Sequence, residues 1–297
     1  MELRVLRYFL AVAREETITG AANLLHVTQP TLSRQIHDLE QELGQKLLVR
    51  GSHRVSLTPA GMLLRKRAEE IVSMVDKTEG EFSAIDTEIA GDVYIGGGET
   101  RGLFLIAQTA RELREEYPGV RYHLYSGNSQ DVAERLEKGL LDFGVFVHPA
   151  DLSRYESLEL PEKERWGVVI RKDDPLAQKK AVRREELADQ PLIVSRQAME
   201  AGRDNAYARW FGESFEALNI STTFNLVYNA ALMVEAGLGC ALTIDRLVNI
   251  SPESALTFRP LEPKLETGLS LVWKRHQVFS AAAEAFLERL KSKCASA

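Results

Sequence analysis

Cysteine is scarce in this chain: Cys240 and Cys294 are the two in 297 residues, far apart and outside any CxxC or Cys/His cluster. That pattern excludes a disulfide scaffold and the usual structural zinc sites, and leaves two free thiols in a reducing compartment as the expectation. The six histidines are scattered without metal spacing, and no HExxH, paired-carboxylate or Ser–His–Asp order stands out. No residue is therefore nominated as catalytic or metal-binding, and no cofactor is expected. The stretch GGGETRG has the glycines of a phosphate loop, but its spacing fits neither GxGxxG nor GxxxxGK.

Long apolar runs are missing too. No stretch of about 18 uncharged apolar residues exists to span a membrane. The opening MELRVLRYFLAVAREE carries charges throughout, unlike the apolar core of a signal peptide. A cytoplasmic protein without a membrane partner is the expectation. A strong charge of one sign is also lacking. The net charge is −6, yet residues 1–60 hold seven Lys/Arg and six Asp/Glu, so the remainder carries −7. Bulk charge gives no nucleic-acid footprint, and any DNA contact must come from a local patch.

What is present is ordinary for a soluble fold, 44% hydrophobic and 27% charged, at a length that suggests two or three domains. Leu3, Val5, Leu6, Phe9, Leu10, Val12 and Ala13 recur at helical spacing. In TITGAANLLHV, Thr19 is the expected cap of a second helix that turns Ala22, Leu24 and Leu25 inward. After a break at His26 and Val27, Thr28 reads as the cap of a third helix, with Gln29 and Pro30 in its first turn. Proline suits that place because its missing N–H has no helical partner there. Leu32, Ile36, Leu39 and Leu43 then give one apolar face.

Two short helices meeting at a three-residue turn is helix-turn-helix spacing. The outward face of the second shows Gln29, Thr31, Ser33, Arg34 and His37. A merely solvated face would favour Glu and Lys. Amides, short hydroxyls and arginine are the types that read base edges and phosphates. QKLLVRGSHRVSLTPAG follows as two short strands around GSH, with Arg50, Ser52, His53 and Arg54 at the tip. A basic hairpin beside a reading helix can grip the flanking backbone.

The run AANLLHVTQPTLSRQIHDLEQELGQKLLVR…VSLTPAG resembles the winged helix-turn-helix of LysR-type transcriptional regulators, from Met1 to about Gly61. That resemblance implies DNA contact by Thr28, Gln29, Pro30, Thr31, Ser33 and Arg34, with Arg50 and Arg54 at the wing. It also implies double-stranded promoter DNA as partner, with RNA polymerase as a further one.

Thr58 and Pro59 open another helix, in which Leu64, Ala68, Ile71, Val75, Thr78, Phe82 and Ile85 alternate steps of four and three. Such a stripe must be buried, either against its own domain or against the same helix of a second subunit. The second suits a palindromic site. LysR-type proteins dimerise through this helix and commonly form tetramers, so the resemblance implies a homodimer or homotetramer, with Leu64, Ala68, Ile71, Val75 and Phe82 at the seam.

From Gly91 onward strands and helices alternate through DVYIGGG, VRYHLYSG and LDFGVFV, and the cycle repeats from WGVVIRKDDPLA to CALTI before TGLSLVWKRH returns. This is α/β order with short connections. The expected organisation is an α/β protein in three parts. A winged helix-turn-helix, mainly α, spans 1–60, a linker helix 61–89, and a two-lobed α/β domain 90–297. One lobe takes about 90–160 and 267–297, the other about 161–266. LEKGLLDFGV, DDPLA and AGLGCALTI are similar to stretches of LysR-type effector domains, which resemble periplasmic solute-binding proteins. Asp174 stands at the family's histidine and Ile244 at its proline, which leaves the turn after Ile244 open.

In such folds ligands sit at the carboxyl ends of strands, against helix N-termini. The positions here are Gly98, Glu99, Thr100 and Arg101, Asn128 and Ser129, Phe146 to His148, Ser195 and Arg196, and Tyr228 and Asn229. The resemblance places effector contacts at Thr100, Ser129 and near Ser195. Helix capping is an equal alternative for each hydroxyl and amide. Arg101, Arg196 and Arg203 offer pairing to a carboxylate, whereas Glu99 favours a cationic or polyhydroxyl ligand. The expected function is a DNA-binding regulator modulated by a small-molecule effector. The rival is a solute-binding or enzymatic α/β protein with an N-terminal oligomerisation module.

Overall fold

The computed structural model describes residues 1–51, 54–83, 89–200 and 206–296. The chain divides into two compact units, Met1–Phe82 and Ser83–Ala297.

In the first unit, α1 (Leu3–Glu15) buries Val5, Leu6, Phe9 and Val12, a stripe at helical spacing. Next, α2 (Ile18–Leu24) is capped by Thr17, whose hydroxyl accepts the Gly20 N–H at 3.0 Å. This corrects the expected cap at Thr19, which is exposed inside the helix. Starting at Ile18 turns Ala21 and Ala22 into the core, and Leu24 consequently points outward, 52% exposed. The turn that follows contains His26 at φ 54°.

The third helix, α3 (Gln29–Leu43), begins at Thr28, whose hydroxyl accepts the Thr31 N–H at 3.4 Å, with Pro30 in the first turn. It buries Leu32, Ile36, Leu39 and Glu40. Leu43, expected on that face, is 39% exposed, because the helix ends one residue later at Gly44 in the left-handed conformation. The wing is an antiparallel pair, β1 (Leu48–Arg50) and β2 (Val55–Leu57), with Leu48 opposite Leu57.

Helix α4 (Pro59–Ser83) starts where Thr58 accepts the Gly61 N–H at 2.9 Å. Leu64 packs on the core formed by Phe9, Leu32 and Leu47, and Ala68 is fully buried. Farther along, Ile71 and Phe82 are exposed, Phe82 by 70%. Ile85 lies outside the described residues.

The second unit has two lobes. The first contains β3 (Gly91–Gly97), α5 (Leu103–Glu116), β4 (Val120–Ser126), α6 (Ser129–Glu137), β5 (Phe143–Val147) and β6 (Tyr155–Glu159). The chain then builds the second lobe from β7 (Glu164–Arg171), β8 (Val182–Arg183), α7 (Arg184–Leu187), β9 (Leu192–Ser195), α8 (Arg196–Glu200) and α9 (Ala206–Phe211). It continues with β10 (Ile220–Phe224), α10 (Val227–Glu235), β11 (Cys240–Ile244), β12 (Leu256–Glu262) and β13 (Glu266–Thr267). It returns to the first lobe as β14 (Leu269–Lys274) and α11 (Ala281–Ser296).

The first sheet runs β4-β3-β5-β14-β6, parallel across β4, β3 and β5 and antiparallel at β14. Its core joins Val93, Ile95, Phe143, Leu271 and Phe286. The second runs β10-β9-β11-β7-β12-β8, with β13 on β7. Its parallel strands β9, β10 and β11 meet the antiparallel β7. Asp174 caps a short 3-10 turn by accepting the Leu176 N–H at 2.8 Å. Ile244 ends β11 opposite Trp166, and the turn after it is made by Arg246 at φ 65°.

Candidate functional site

In the first unit, Thr28 is exposed at the cap of α3, Gln29, Pro30, Thr31 and Arg34 are exposed on the helix, and Ser33 is half-buried. Gln29, Pro30, Ser33, Arg34 and His37 line one shallow concavity, joined by Lys46 from the loop before β1. Thr31 lies off this line, with its hydroxyl 2.8 Å from that of Thr28. The Arg34 side chain is 83% exposed and only 3.9 Å from Asp38 at closest, a surface pairing that holds it weakly. At the wing, Arg54 pairs with Glu16 at 3.3 Å. Arg50 takes part in β1 by its backbone, and Ser52 and His53 lie outside the described residues.

Lys46 carries no motif, so the sequence pattern passes over it. Its place follows from Glu40, a buried carboxylate on α3 that accepts Lys46 Nζ at 2.8 Å and the N–H groups of Leu47 and Leu48 at 2.8 and 3.2 Å. Burial pushes the Glu40 carboxyl up, but the Lys46 ammonium and the two N–H groups outweigh it, so the group lies below its ordinary value. The loop is thereby fixed to α3, and the lysine side chain, 67% exposed, stays beside the exposed face of that helix.

In the second unit, a cavity of about 190 Å³ opens between the lobes. The first lobe contributes Glu99 after β3, Asn128 and Ser129 at the start of α6, Val145 and Val147 from β5, and His148 just after it. The second contributes Trp166, Ser195, Arg196 and Gln197, Phe224 and Val227, and Leu242 to Ile244. Apolar walls with a few polar groups at strand and helix ends are what a small-molecule site needs. Contacts cross the cavity between the lobes. Ser129 hydrogen-bonds Gln197, and the Glu99 carboxylate accepts the Val227 N–H.

Of the positions expected from sequence, the structure brings Gly98, Glu99, Asn128, Ser129, Val147, His148, Ser195 and Arg196 to the cavity. Asn128 also caps α6, accepting the Asp131 N–H at 2.9 Å. The others lie elsewhere. Thr100 is buried off the lining, and its hydroxyl donates a hydrogen bond to Glu164, which also accepts the Gly102 N–H at 2.9 Å. Arg101 stacks over the Phe104 ring at 4.1 Å and borders a separate charged depression with Lys163 and Arg246. Phe146 packs edge-on against Tyr155 on the opposite face of its sheet. Side chains alternate along β5, so Val145 and Val147 face the cavity instead. Asn229 is exposed on α10 and off the lining. Arg203 lies outside the described residues. Trp166, Thr243 and Gln197, absent from the sequence expectation, line the cavity. Period-two placement along β11 offered a signal for Thr243, but nothing local marked Gln197.

Among the described residues, no group of acidic, His or Cys side chains is placed to hold a metal ion, and no helix is long and apolar enough to cross a membrane.

Residues 3–62 match the family model of the bacterial regulatory helix-turn-helix proteins of the lysR family, and residues 86–295 match the LysR substrate binding domain. An uncharacterized HTH-type transcriptional regulator of Bacillus subtilis, YwbI, is 32% identical over 293 residues, covering 98% of this chain and 96% of the relative. The Hca operon transcriptional activator HcaR of Escherichia coli is 29% identical over 297 residues, covering 100% and 99%. The crystal structure of CbnR, a LysR family transcriptional regulator, superposes with a TM-score of 0.77 at 19% identity, covering 99% of both chains. CbnR complexed with its target DNA gives 0.74 at 19% identity, covering 98% and 99%. At that identity the likeness speaks for the fold.

Proposed function

The chain belongs to the LysR family of DNA-binding transcriptional regulators, and from that premise we propose how its parts divide the work. Residues 1–60 bind double-stranded promoter DNA, with α3 in the major groove. Gln29, Thr31, Ser33 and Arg34 read base edges, Thr28 and Pro30 fix the helix start at the backbone, and Arg50 and Arg54 hold the flanking DNA. Residues 61–89 form the linker that pairs subunits. Ile71 and Phe82, exposed on a helix whose Leu64 and Ala68 are already packed, support a homodimer, with a tetramer as a pair of dimers. RNA polymerase is the further partner in activation.

Residues 90–297 take a small-molecule effector in the cavity between the lobes. Binding there changes the balance between two lobe arrangements, and so DNA binding or activation. The interlobe pairs Ser129–Gln197 and Glu99–Val227 support this, because a ligand in the cavity meets both.

The observation that carries the DNA-reading assignment is the concavity on α3 lined by Gln29, Ser33, Arg34, His37 and Lys46. Anisotropy of labelled upstream DNA at several salt concentrations tests it. Tight, salt-sensitive binding is expected, with Arg34→Ala weaker by about 1–3 kcal/mol. Equal affinity of wild type and Arg34→Ala would remove the assignment.

A further inference from the structure

The Glu99 carboxylate, from the loop after β3, accepts the backbone N–H of Val227, the first residue of α10. The leading N–H groups of a helix have no intrahelical acceptor and form the positive end of its dipole. In this cleft that place is filled by an anion the protein supplies itself. The bond uses Oε2, and Oε1 has no hydrogen-bond partner among the described residues. Glu99 is half-buried and lines the cavity.

The wall around it is largely apolar, through Val147, Trp166, Phe224 and Leu242. Of the other groups able to carry charge, His148 shares a hydrogen bond with Ser270 at 2.9 Å, and Arg196 is exposed, where water and salt screen it. A ligand carboxylate brought to this corner would set two like charges against one helix terminus. A ligand N–H would satisfy Oε1.

We infer that Glu99 selects the effector by charge: the ligand presents an amine or amide N–H to Glu99 Oε1, rests an apolar body on Trp166 and Phe224, and carries no carboxylate at that end. The inference depends on the proposal that the cleft takes a small-molecule effector. It also reverses the carboxylate pairing that the arginines of the sequence invite.

The test is titration calorimetry on the full-length protein with matched probes sharing one apolar body: 3-phenylpropylamine, 3-phenylpropanamide and 3-phenylpropanoate, with benzyl and cyclohexyl sets alongside. The amine or amide is expected to bind wild type at least about tenfold more tightly than the carboxylate, as for a hydrogen bond to a charged group. Glu99→Gln keeps an acceptor for the Val227 N–H while offering its own N–H groups to a carboxylate. That preference should then fall below about threefold. Carboxylates binding wild type as tightly as amides, or a preference unchanged in Glu99→Gln, overturns the role of Glu99 and leaves the cleft as a binding site. A blank for every probe with both proteins counts against the cleft itself and takes the inference with it.

Discussion

Glu40 Oε1 accepts the backbone N–H of Leu47 at 2.8 Å, so a buried carboxylate on α3 sets where the wing begins. Removing it leaves two buried N–H groups without their acceptor. Glu40→Ala should lower the local stability around α3 and the wing by about 2–3 kcal/mol. Faster hydrogen exchange at the Leu47 and Leu48 amides, at unchanged exchange in α11, is the readout.

The same carboxylate sets an acid limit. Its pKa is lowered on folding from an ordinary 4.5, so its stabilisation is complete above that value and is lost as pH falls through the lowered one. Urea midpoints measured from pH 6 downward should therefore fall more steeply for wild type than for Glu40→Gln. Parallel curves would mean that Glu40 does not titrate differently in the folded chain.

Thr17 and Thr19 offer a clean comparison of caps. Thr17→Ala should cost about 1 kcal/mol, whereas exposed Thr19→Ala should stay within about 0.5 kcal/mol of wild type by urea unfolding. The reverse order would restore the cap expected from sequence.

Why did the sequence mislead at these threonines and not at Thr28? Periodicity located both helices, and Pro30 pinned the start of α3 because proline tolerates few helical positions. Before α2 no such residue exists, and two threonines two residues apart both make competent caps. The choice is made by Ala21 and Ala22, whose small side chains let α2 sit close to α1, a tertiary effect. The cleft divided in the same way. The rule that ligands meet strand ends points to Asn128, Ser129, Ser195 and Arg196, which line the cavity. It does not say which face a side chain takes, so of Phe146 to His148 the structure turns Val147 and His148 to the cavity and Phe146 to the opposite face. Gln197 reaches Ser129 across 68 positions, a meeting only the folded chain creates.

Lys46 sits beside α3 with its head exposed. Lys46→Gln should weaken DNA binding across sequences and lower the slope of log affinity against log salt by about 1, without changing which sequence is preferred. A changed base preference instead would make Lys46 a base reader.

The buried Cys240 thiol is pushed up to about 12 by loss of water, with Asp174 adding to the effect, and the Cys294 thiol is raised by burial too. Thiolate is the reactive form. Native protein should react slowly with a chromogenic disulfide at pH 8, almost wholly through Cys294, and Cys294→Ser should abolish the signal until denaturant is added.

The first lobe is stitched from both ends of its domain, and this has a consequence for biosynthesis. Strand β14 lies between β5 and β6, and β6 pairs with nothing else in that sheet order. On a ribosome, the strands of the second lobe all emerge before β14 does. The second lobe can close while the first still waits, the strand that joins β5 to β6 missing and its apolar face open to chaperones. A message cut short before residue 269 thus yields a chain with a formed N-terminal unit and an unfinished lobe beside a finished one, a product for proteolysis and not a shortened regulator.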